Sequence, residues 1–244
     1  MDEAFGKTDE GLSLFSSAVN YIYGGGGIVT NFFSIDADSS RIYMAATADD
    51  AVDGTEDGRS ELGAIYALDL VDDGNGGFKF QVLNRKTFKG GTGSTPALSA
   101  DGQRLYVSDN EGHVIALDTE LAEVWRLDVG EPLVGSITVS ADNDELYVVT
   151  ASDVIQLIDN GDQGSRAWTA ELTGFDGYAN VDVQSNGLTA TATANGVVIM
   201  IGGGKKLLGK TLMLHVGMGL LDRETGKLRY FTEGREDSLA MSVV

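Results

Sequence analysis

Short apolar segments separated by turn sequences recur along the chain, and the clearest copy runs from Ser99 to Asp118. Within it, Asp101-Gly102 is typical of a tight turn, and residues 104–108 alternate between polar and apolar side chains. Asn110-Glu111-Gly112 marks the next turn, and an apolar run from His113 to Leu117 follows it. The stretch therefore predicts two antiparallel strands joined by a turn.

This stretch is one of several copies of a repeat. The strong copies are Asp36–Met44, Ser99–Val107 and Ser140–Val148, and a weaker fourth copy is Gln184–Gly187 followed by the alternating residues 188–194. A second strand then ends in Asp69, Asp118 or Asp159, and a strand with an aromatic residue follows at Phe78-Lys79-Phe80, Trp125, Trp168 and Tyr230-Phe231. Four short strands per repeat predict an all-β fold, a β-propeller built from four-stranded antiparallel blades.

The repeats predict four blade-like units, at approximately residues 28–82, 94–130, 135–174 and 179–232. They amount to about four to five blades' worth of sequence in a single propeller domain, 1–244, or in a propeller fragment. Residues 238–244 are similar to the first strand of a further blade. Because a propeller closes so that no sheet edge is exposed, we expect a small ring, part of a larger ring, or self-association that completes the propeller.

Composition narrows the classes of function. The 244 residues carry a formal net charge of −20, which argues against binding to nucleic acid or to anionic membranes. The chain has no cysteine, so disulfides, thiolate metal sites and thiol nucleophiles are excluded. No apolar run is long enough for membrane insertion, and residues 1–11 lack the pattern of an export signal. The acidic composition is typical of an extracellular or periplasmic setting, in which the sequence would be a mature segment.

Residues 221–230, Leu-Asp-Arg-Glu-Thr-Gly-Lys-Leu-Arg-Tyr, resemble the Ala-x-Asp-x-x-Thr-Gly-Lys-x-x-Trp repeat of quinoprotein-type (PQQ-like repeat) β-propellers. Leu220 stands at the Ala position and Tyr230 at the Trp position, and the resemblance covers roughly residues 28–244. It implies that aromatic residues pack between blades and that turn carboxylates follow the third strands, at Asp118, Asp159 and Asp222. The family includes dehydrogenases, assembly scaffolds and sugar-acting surface proteins, so the resemblance implies the fold and leaves the chemistry open.

The first repeat carries an acidic insertion between its second and third strands, on the face where propellers usually bind ligands. Oxygen-rich loops suit calcium, and the candidate ligands are Asp49, Asp50, Asp53, Glu56 and Asp57. The Asp-x-Asp-x-Asp-Gly spacing of calcium loops is absent, so a solvated acidic loop is the alternative. No other metal and no cofactor is predicted.

The connectors between blades are predicted to line the same face and to form the binding surface. The candidate ligand-binding side chains are Asp176, Tyr178, Asn180, Arg235, Thr92 and Ser94, and a structural role for each one is the alternative. No catalytic residue is predicted, because the two histidines, His113 and His215, lie in unrelated contexts and no nucleophile elbow is present.

Gly204 to Thr211 fits the pattern of a phosphate-binding loop, in which Lys210 and Thr211 would contact the nucleotide. A basic loop between strands is the alternative, because Leu207 and Leu208 are bulky and the preceding repeats lack crossover helices. We therefore predict a non-catalytic propeller that presents its connector loops to a protein or glycan partner. The alternative is an enzyme, or part of one, related to quinone-cofactor-dependent dehydrogenases, whose calcium set and adjacent cysteines have no counterparts matched in this sequence.

Overall fold

The computed structural model describes residues 33–48, 62–89, 91–92, 94–133, 135–141, 145–150, 152–171, 183–186, 189–208 and 210–234. These residues form seventeen β-strands in four antiparallel sheets. The described ranges contain no helix, and therefore none with the length and apolar character needed to cross a membrane. The prediction of an all-β chain is confirmed.

Each sheet is made of strands that follow one another along the chain. The first sheet contains β1 (Phe33–Ile35), β2 (Ile42–Thr47), β3 (Leu62–Asp72) and β4 (Phe78–Lys89). The second contains β5 (Ala97–Leu98), β6 (Leu105–Ser108), β7 (His113–Leu117) and β8 (Glu123–Asp128). The third contains β9 (Thr138–Val139), β10 (Glu145–Val149), β11 (Asp153–Asp159) and β12 (Gly164–Glu171). The fourth contains β13 (Val183–Asn186), β14 (Thr191–Thr193), β15 (Gly196–Leu207), β16 (Lys210–Leu221) and β17 (Leu228–Gly234).

The first three sheets are four-stranded, and their strands are hydrogen-bonded in chain order. In the fourth sheet both β13 and β14 pair with β15, so the two short strands together take the place of a single first strand. Four-stranded antiparallel sheets that follow one another along the chain and pack face to face are the blades of a β-propeller, as predicted.

The core consists of three clusters of buried side chains, each between two successive sheets. Leu105 and Val107 of β6 pack against the first sheet, whereas Tyr106, between them in sequence, packs against the third. Successive residues of a strand point to opposite sides of its sheet. Because the second sheet is covered on both sides, residues 105–108 are all buried, and burial does not alternate along β6.

The register of the outer strands differs from the prediction. β3 continues past Asp69 to Asp72, so its hairpin with β4 is longer than the repeat suggested. All four sheets have a β-bulge between their third and fourth strands. The residue just past the bulge is Trp125 in the second sheet and Asn84 in the first. Asn84, and not the predicted Phe78 or Phe80, is therefore the structural counterpart of Trp125.

The weak fourth repeat begins later than predicted. Ala194 and Asn195 form the turn before β15, so β15 and not the segment 188–194 is the second strand. β15 and β16 form a long hairpin with Leu208 at its tip. A phosphate-binding loop requires a helix to start near Lys210, where this chain starts a strand. The phosphate-loop interpretation is therefore wrong, and the alternative of a loop between strands holds.

Candidate functional site

The connectors between sheets lie against the turns that join second and third strands. We call these segments the connector surface, which comprises residues 91–92, 94–95, 109–113, 129–133, 150 and 152–153. Asn110 N donates a 3.1 Å hydrogen bond to Gly91 O in the connector after β4. Val129 N, in the connector after β8, donates a 2.9 Å hydrogen bond to Gly112 O. Backbone hydrogen bonds therefore fix the relative positions of these connectors and turns.

The connector after β8 is held closely on both sides. Gly112 has a φ of +93°, and a Cβ at this position would lie 2.9 Å from Glu131 O. Both the backbone conformation and the close contact therefore require glycine. On the other side, Leu133 forms a β-bridge with Thr150 of the third sheet. The exposed Glu131 side chain lies between these two contacts and accepts a 3.2 Å hydrogen bond from Ser152 Oγ.

Two predicted ligand-binding residues, Thr92 and Ser94, lie inside this surface. Their exposed fractions are 7 % and 4 %. The Thr92 hydroxyl donates to the Ser108 carbonyl, and Ser94 Oγ donates to Thr95 O over 3.3 Å. In this arrangement the two hydroxyls hold the connector in place, and direct contact with a ligand stays a prediction.

The other predicted site residues have no described position. The ligand-binding candidates Asp176, Tyr178, Asn180 and Arg235 lie outside the described residues. The same is true of the calcium candidates Asp49, Asp50, Asp53, Glu56 and Asp57. Their roles stay predictions.

Asp109 is a buried charge in the connector surface, with 2 % of its side chain exposed. Its Oδ1 accepts hydrogen bonds from the backbone N–H groups of Glu111, at 3.0 Å, and His113, at 2.9 Å. Its Oδ2 lies 2.9 Å from both Arg126 Nη1 and His113 Nδ1. A buried carboxylate is tolerated when it is hydrogen-bonded and paired with a cation. Asp109 therefore closes the turn between β6 and β7.

Arg126 extends this network across the outer strand. Its Nε lies 3.1 Å from Glu123 Oε1, and Lys86 Nζ of the first sheet lies 3.2 Å from Glu123 Oε2. The hydrogen bonds between Arg126 and Glu123 lower the pKa of the Glu123 carboxyl and raise the pKa of the Arg126 guanidinium. The guanidinium beside Asp109 is therefore held in its charged form.

The ligating atoms of Asp109, Glu111 and His113 lie within 4.8 Å of one another, a spacing that a metal ion could bridge. The donor set is already engaged, because both Asp109 oxygens accept hydrogen bonds and His113 Nδ1 faces this carboxylate. A bound cation would also face the Arg126 guanidinium. The group does not fit a metal, and it is an ion-pair network that closes a turn.

The turn aspartates lie at the opposite end of the sheets and have structural roles. Asp118 Oδ1 accepts hydrogen bonds from the N–H groups of Glu120, at 2.9 Å, and Ala122, at 2.8 Å. Asp222 Oδ1 accepts hydrogen bonds from the hydroxyl and the N–H of Thr225 at 2.9 Å and 3.0 Å, and these bonds lower the pKa of Asp222. These contacts agree with the turn role that the resemblance implies.

Sequence reasoning missed Asp109, Arg126 and Glu131. Asp109-Asn110 before a glycine is a turn signal, since Asp side chains accept hydrogen bonds from the backbone N–H groups that follow them. The contact of Asp109 with Arg126 carried no local signal, because strand pairing between β7 and β8 creates it.

Comparisons with known proteins give a family match and similar solved structures. A family model described as outer membrane protein assembly factor BamB matches residues 46–233. The solved structure of BamB from Moraxella catarrhalis is similar, with 15 % identity, coverage of 82 % of this chain and 47 % of that chain, and a TM-score of 0.43. Sqt1 from Saccharomyces cerevisiae is similar with 8 % identity, the same coverages of 82 % and 47 %, and a TM-score of 0.49.

The chain thus spans about half the length of these two solved proteins, at 47 % of each. No curated protein sequence matches it. Because the family model covers residues 46–233, well over half of the sequence, the chain belongs to the family of PQQ-repeat propellers described as outer membrane protein assembly factor BamB.

Proposed function

We propose that this chain is a non-catalytic binding module that presents its connector surface to a protein partner outside the cytoplasm. The observation that carries the proposal is the connector surface itself, in which exposed acidic side chains stand on a backbone held by hydrogen bonds. Such a preorganised surface loses little conformational entropy on binding. The family description, an assembly factor for outer membrane proteins, supports a protein as partner and the periplasm as location.

The charges of the connector surface indicate the chemistry of the partner. Glu111 and Glu131 are exposed, and the segments that form the surface contain no lysine or arginine. Complementary charges guide association and fix its register. A partner segment with lysine, arginine or free backbone N–H groups matches this surface.

A quinone-dependent dehydrogenase is the other function that the sequence leaves open. In the described part of the chain, the group that most resembles a set of metal ligands is Asp109, Glu111 and His113, and Asp109 is hydrogen-bonded to Arg126. Because this carboxylate is already paired with a cationic side chain, the arrangement supports partner binding rather than metal-assisted chemistry at the connector surface. Addition of pyrroloquinoline quinone with calcium should leave the absorbance spectrum and the melting temperature of the protein unchanged, and a saturable change in either would favour the enzyme.

The proposal is tested by replacing Glu131 with a photo-crosslinking amino acid in cells of the source organism. Gln103, which is exposed in the turn between β5 and β6 at the other end of the sheet, is the matched control position. We expect a discrete adduct from position 131 and none from position 103. Protease digestion of the adduct should yield partner peptides, whereas a glycan partner would leave a carbohydrate adduct.

Charge reversal provides the second arm of this test. The double variant Glu111→Lys/Glu131→Lys should reduce the yield of an adduct formed from a crosslinker at Ser152 at least tenfold, whereas Gln103→Lys should leave it unchanged. Equal adducts from positions 131 and 103, or an adduct that persists after charge reversal, would show that the connector surface is not the binding site.

A further inference from the structure

Successive sheets are joined by one recurring contact. The outer-strand residue just past the β-bulge reaches the turn between third and fourth strands of the next sheet. Asn84 Nδ2 donates to Glu120 Oε2 at 2.6 Å. Trp125 Nε1 donates to Asp159 Oδ1 at 2.9 Å. Trp168 Nε1 donates to Arg223 O at 2.8 Å.

Tyr230 occupies this position in the fourth sheet, opposite Leu220 and just past the bulge. Its side chain is 61 % exposed, whereas Trp125 is 5 % exposed. The residues that share its side of the sheet by strand pairing include the polar Thr191 and Thr232 and four apolar residues: Val198, Met200, Met218 and Leu220. We call these four residues and Tyr230 the leading face, because it corresponds to the side that packs on a following sheet elsewhere in the chain.

The opposite side of the first sheet also exposes apolar side chains among the described residues. Tyr43 packs against the second sheet, so its neighbours Ile42 and Met44 point away from it. Strand pairing places further apolar residues on this outward side, where Ile35 pairs with Ile42 and Leu70 pairs with Phe80. We call this side the trailing face, and its exposed large apolar members are Phe33, Ile35, Leu70, Phe78, Phe80 and Val82.

These two faces account for most of the exposed apolar surface of the described chain. Nine large apolar side chains are exposed among the described residues, and all but Leu208 belong to the trailing or the leading face. Contiguous apolar patches on a protein surface mark sites of association. Leu105 and Val107 of the second sheet correspond to Ile42 and Met44 of the first. Both are fully buried against the first sheet.

The edges of the two faces carry opposite charges. Between successive sheets, a side chain at the start of the second strand contacts the next sheet's turn, as in Arg41 to Glu120 at 2.9 Å. In the fourth sheet the guanidinium of Arg229 lies beside the start of the second strand, β15, where it donates to Asn195 O at 2.8 Å. In the first sheet the corresponding turn carries two carboxylates, Asp72 and Asp73.

We infer that the leading face of one copy of this chain docks on the trailing face of a second copy. Each chain carries both halves of the interface that already joins its own sheets three times, so the contact continues an existing mode of packing. A heterologous contact of this kind forms a ring when the rotation closes. Two copies of the four sheets formed by the described residues give a ring of eight blades, within the range of known propellers, with two identical junctions.

The mass of the full chain in solution is the first measurement. Sedimentation equilibrium should give twice the monomer mass. Tyr230→Glu and Phe80→Glu should each convert the protein to monomer, because each places a charge in an apolar junction. Leu208→Glu, at an exposed apolar residue outside both faces, should leave the mass doubled. A wild-type chain that is monomeric at every concentration tested would overturn the inference.

Directionality is tested by crosslinking, for which the absence of cysteine from the chain gives a clean background. Tyr230→Cys and Phe80→Cys chains are mixed and treated with a short bismaleimide. We expect the mixed pair to crosslink at least tenfold more than either variant alone, and Leu208→Cys to stay uncrosslinked. Preferential crosslinking of Tyr230→Cys chains to themselves would show a symmetric contact instead and would also overturn the inference.

Discussion

Trp125 Nε1 donates a 2.9 Å hydrogen bond to Asp159 Oδ1, so the outer strand of the second sheet is tied to the turn of the third. The same Oδ1 accepts the N–H of Gly161 at 2.7 Å, and Oδ2 accepts the Tyr106 hydroxyl at 2.7 Å. The Trp125 and Tyr106 rings lie 6.0 Å apart. Asp159 is therefore both the cap of its own turn and the joint between two sheets.

Truncation of Trp125 should be severe, because the indole is 5 % exposed and lies between two sheets. We expect Trp125→Ala to lower the free energy of unfolding by about 3–5 kcal/mol. Trp125→Phe keeps much of the packing, and Asp159 keeps its other donors, so we expect a loss of about 1–2 kcal/mol. Urea unfolding measures both, and Leu208→Ala is the exposed control. Equal losses for the two Trp125 variants would contradict this account of the joint.

Gly164 is required by the same indole. A Cβ at residue 164 would lie 2.7 Å from Trp125 Cζ3, which is closer than carbon atoms approach. We expect Gly164→Ala to destabilise the protein by about 1–3 kcal/mol through overpacking. In a double-mutant cycle, Trp125→Phe should relieve part of this cost because the smaller ring leaves room, and a coupling energy near zero would contradict the steric cause.

Gly161 is the matched control for backbone strain. Its φ is +95°, and a Cβ at this position would meet no atom within 4 Å. Gly161→Ala should therefore cost about 1 kcal/mol from conformation alone. Its cost should be unchanged in the Trp125→Phe background.

Removal of the Asp109 charge should loosen the connector surface. We expect Asp109→Asn to lower the free energy of unfolding by about 1–3 kcal/mol, because Arg126 loses its counter-charge while the amide oxygen still accepts the turn N–H groups. The exposed neighbour Glu111 provides the control, and Glu111→Gln should change stability by less than about 0.5 kcal/mol. Calcium or zinc should not raise the melting temperature of the wild type. A rise that Asp109→Asn abolishes would show that the cluster binds metal.

Tyr147 should contribute an alkaline limit to stability. Burial, and then its hydrogen bond to Glu145, raise the pKa of the Tyr147 phenol from 10.0 to about 12. A raised pKa means that the folded state favours the neutral phenol. This contribution is complete below pH 10 and is lost as the pH rises from about 10 to about 12.

The measurement is the urea midpoint as a function of pH for the wild type and Tyr147→Phe. The variant should be about 1–2 kcal/mol less stable at neutral pH, because Gln156 Nε2 loses its acceptor. Its midpoint should fall less steeply than that of the wild type between pH 10 and pH 12. Parallel curves would show that Tyr147 does not carry the alkaline loss.

Much of the fold could be predicted from local chemistry. The Asp-containing turns at Asp118 and Asp222 were identified because a carboxylate that accepts the next N–H groups is a local device. The four-strand repeat was identified because short apolar runs between turns have few alternative structures. The candidate site could be predicted less well from the sequence, because Asp109 and Arg126 come into contact only after β7 and β8 have paired.

The sequence by itself determined the strands, most of the turns, the repeat and the family, since all of these depend on residues close together along the chain. Only the tertiary structure decided that both faces of β6 are buried and that Asn84 stands where Trp125 stands in the next sheet. It alone showed that the trailing and leading faces carry exposed apolar side chains among the described residues. Burial and register depend on which sheets lie on either side, and that is a property of long-range packing that no local pattern encodes.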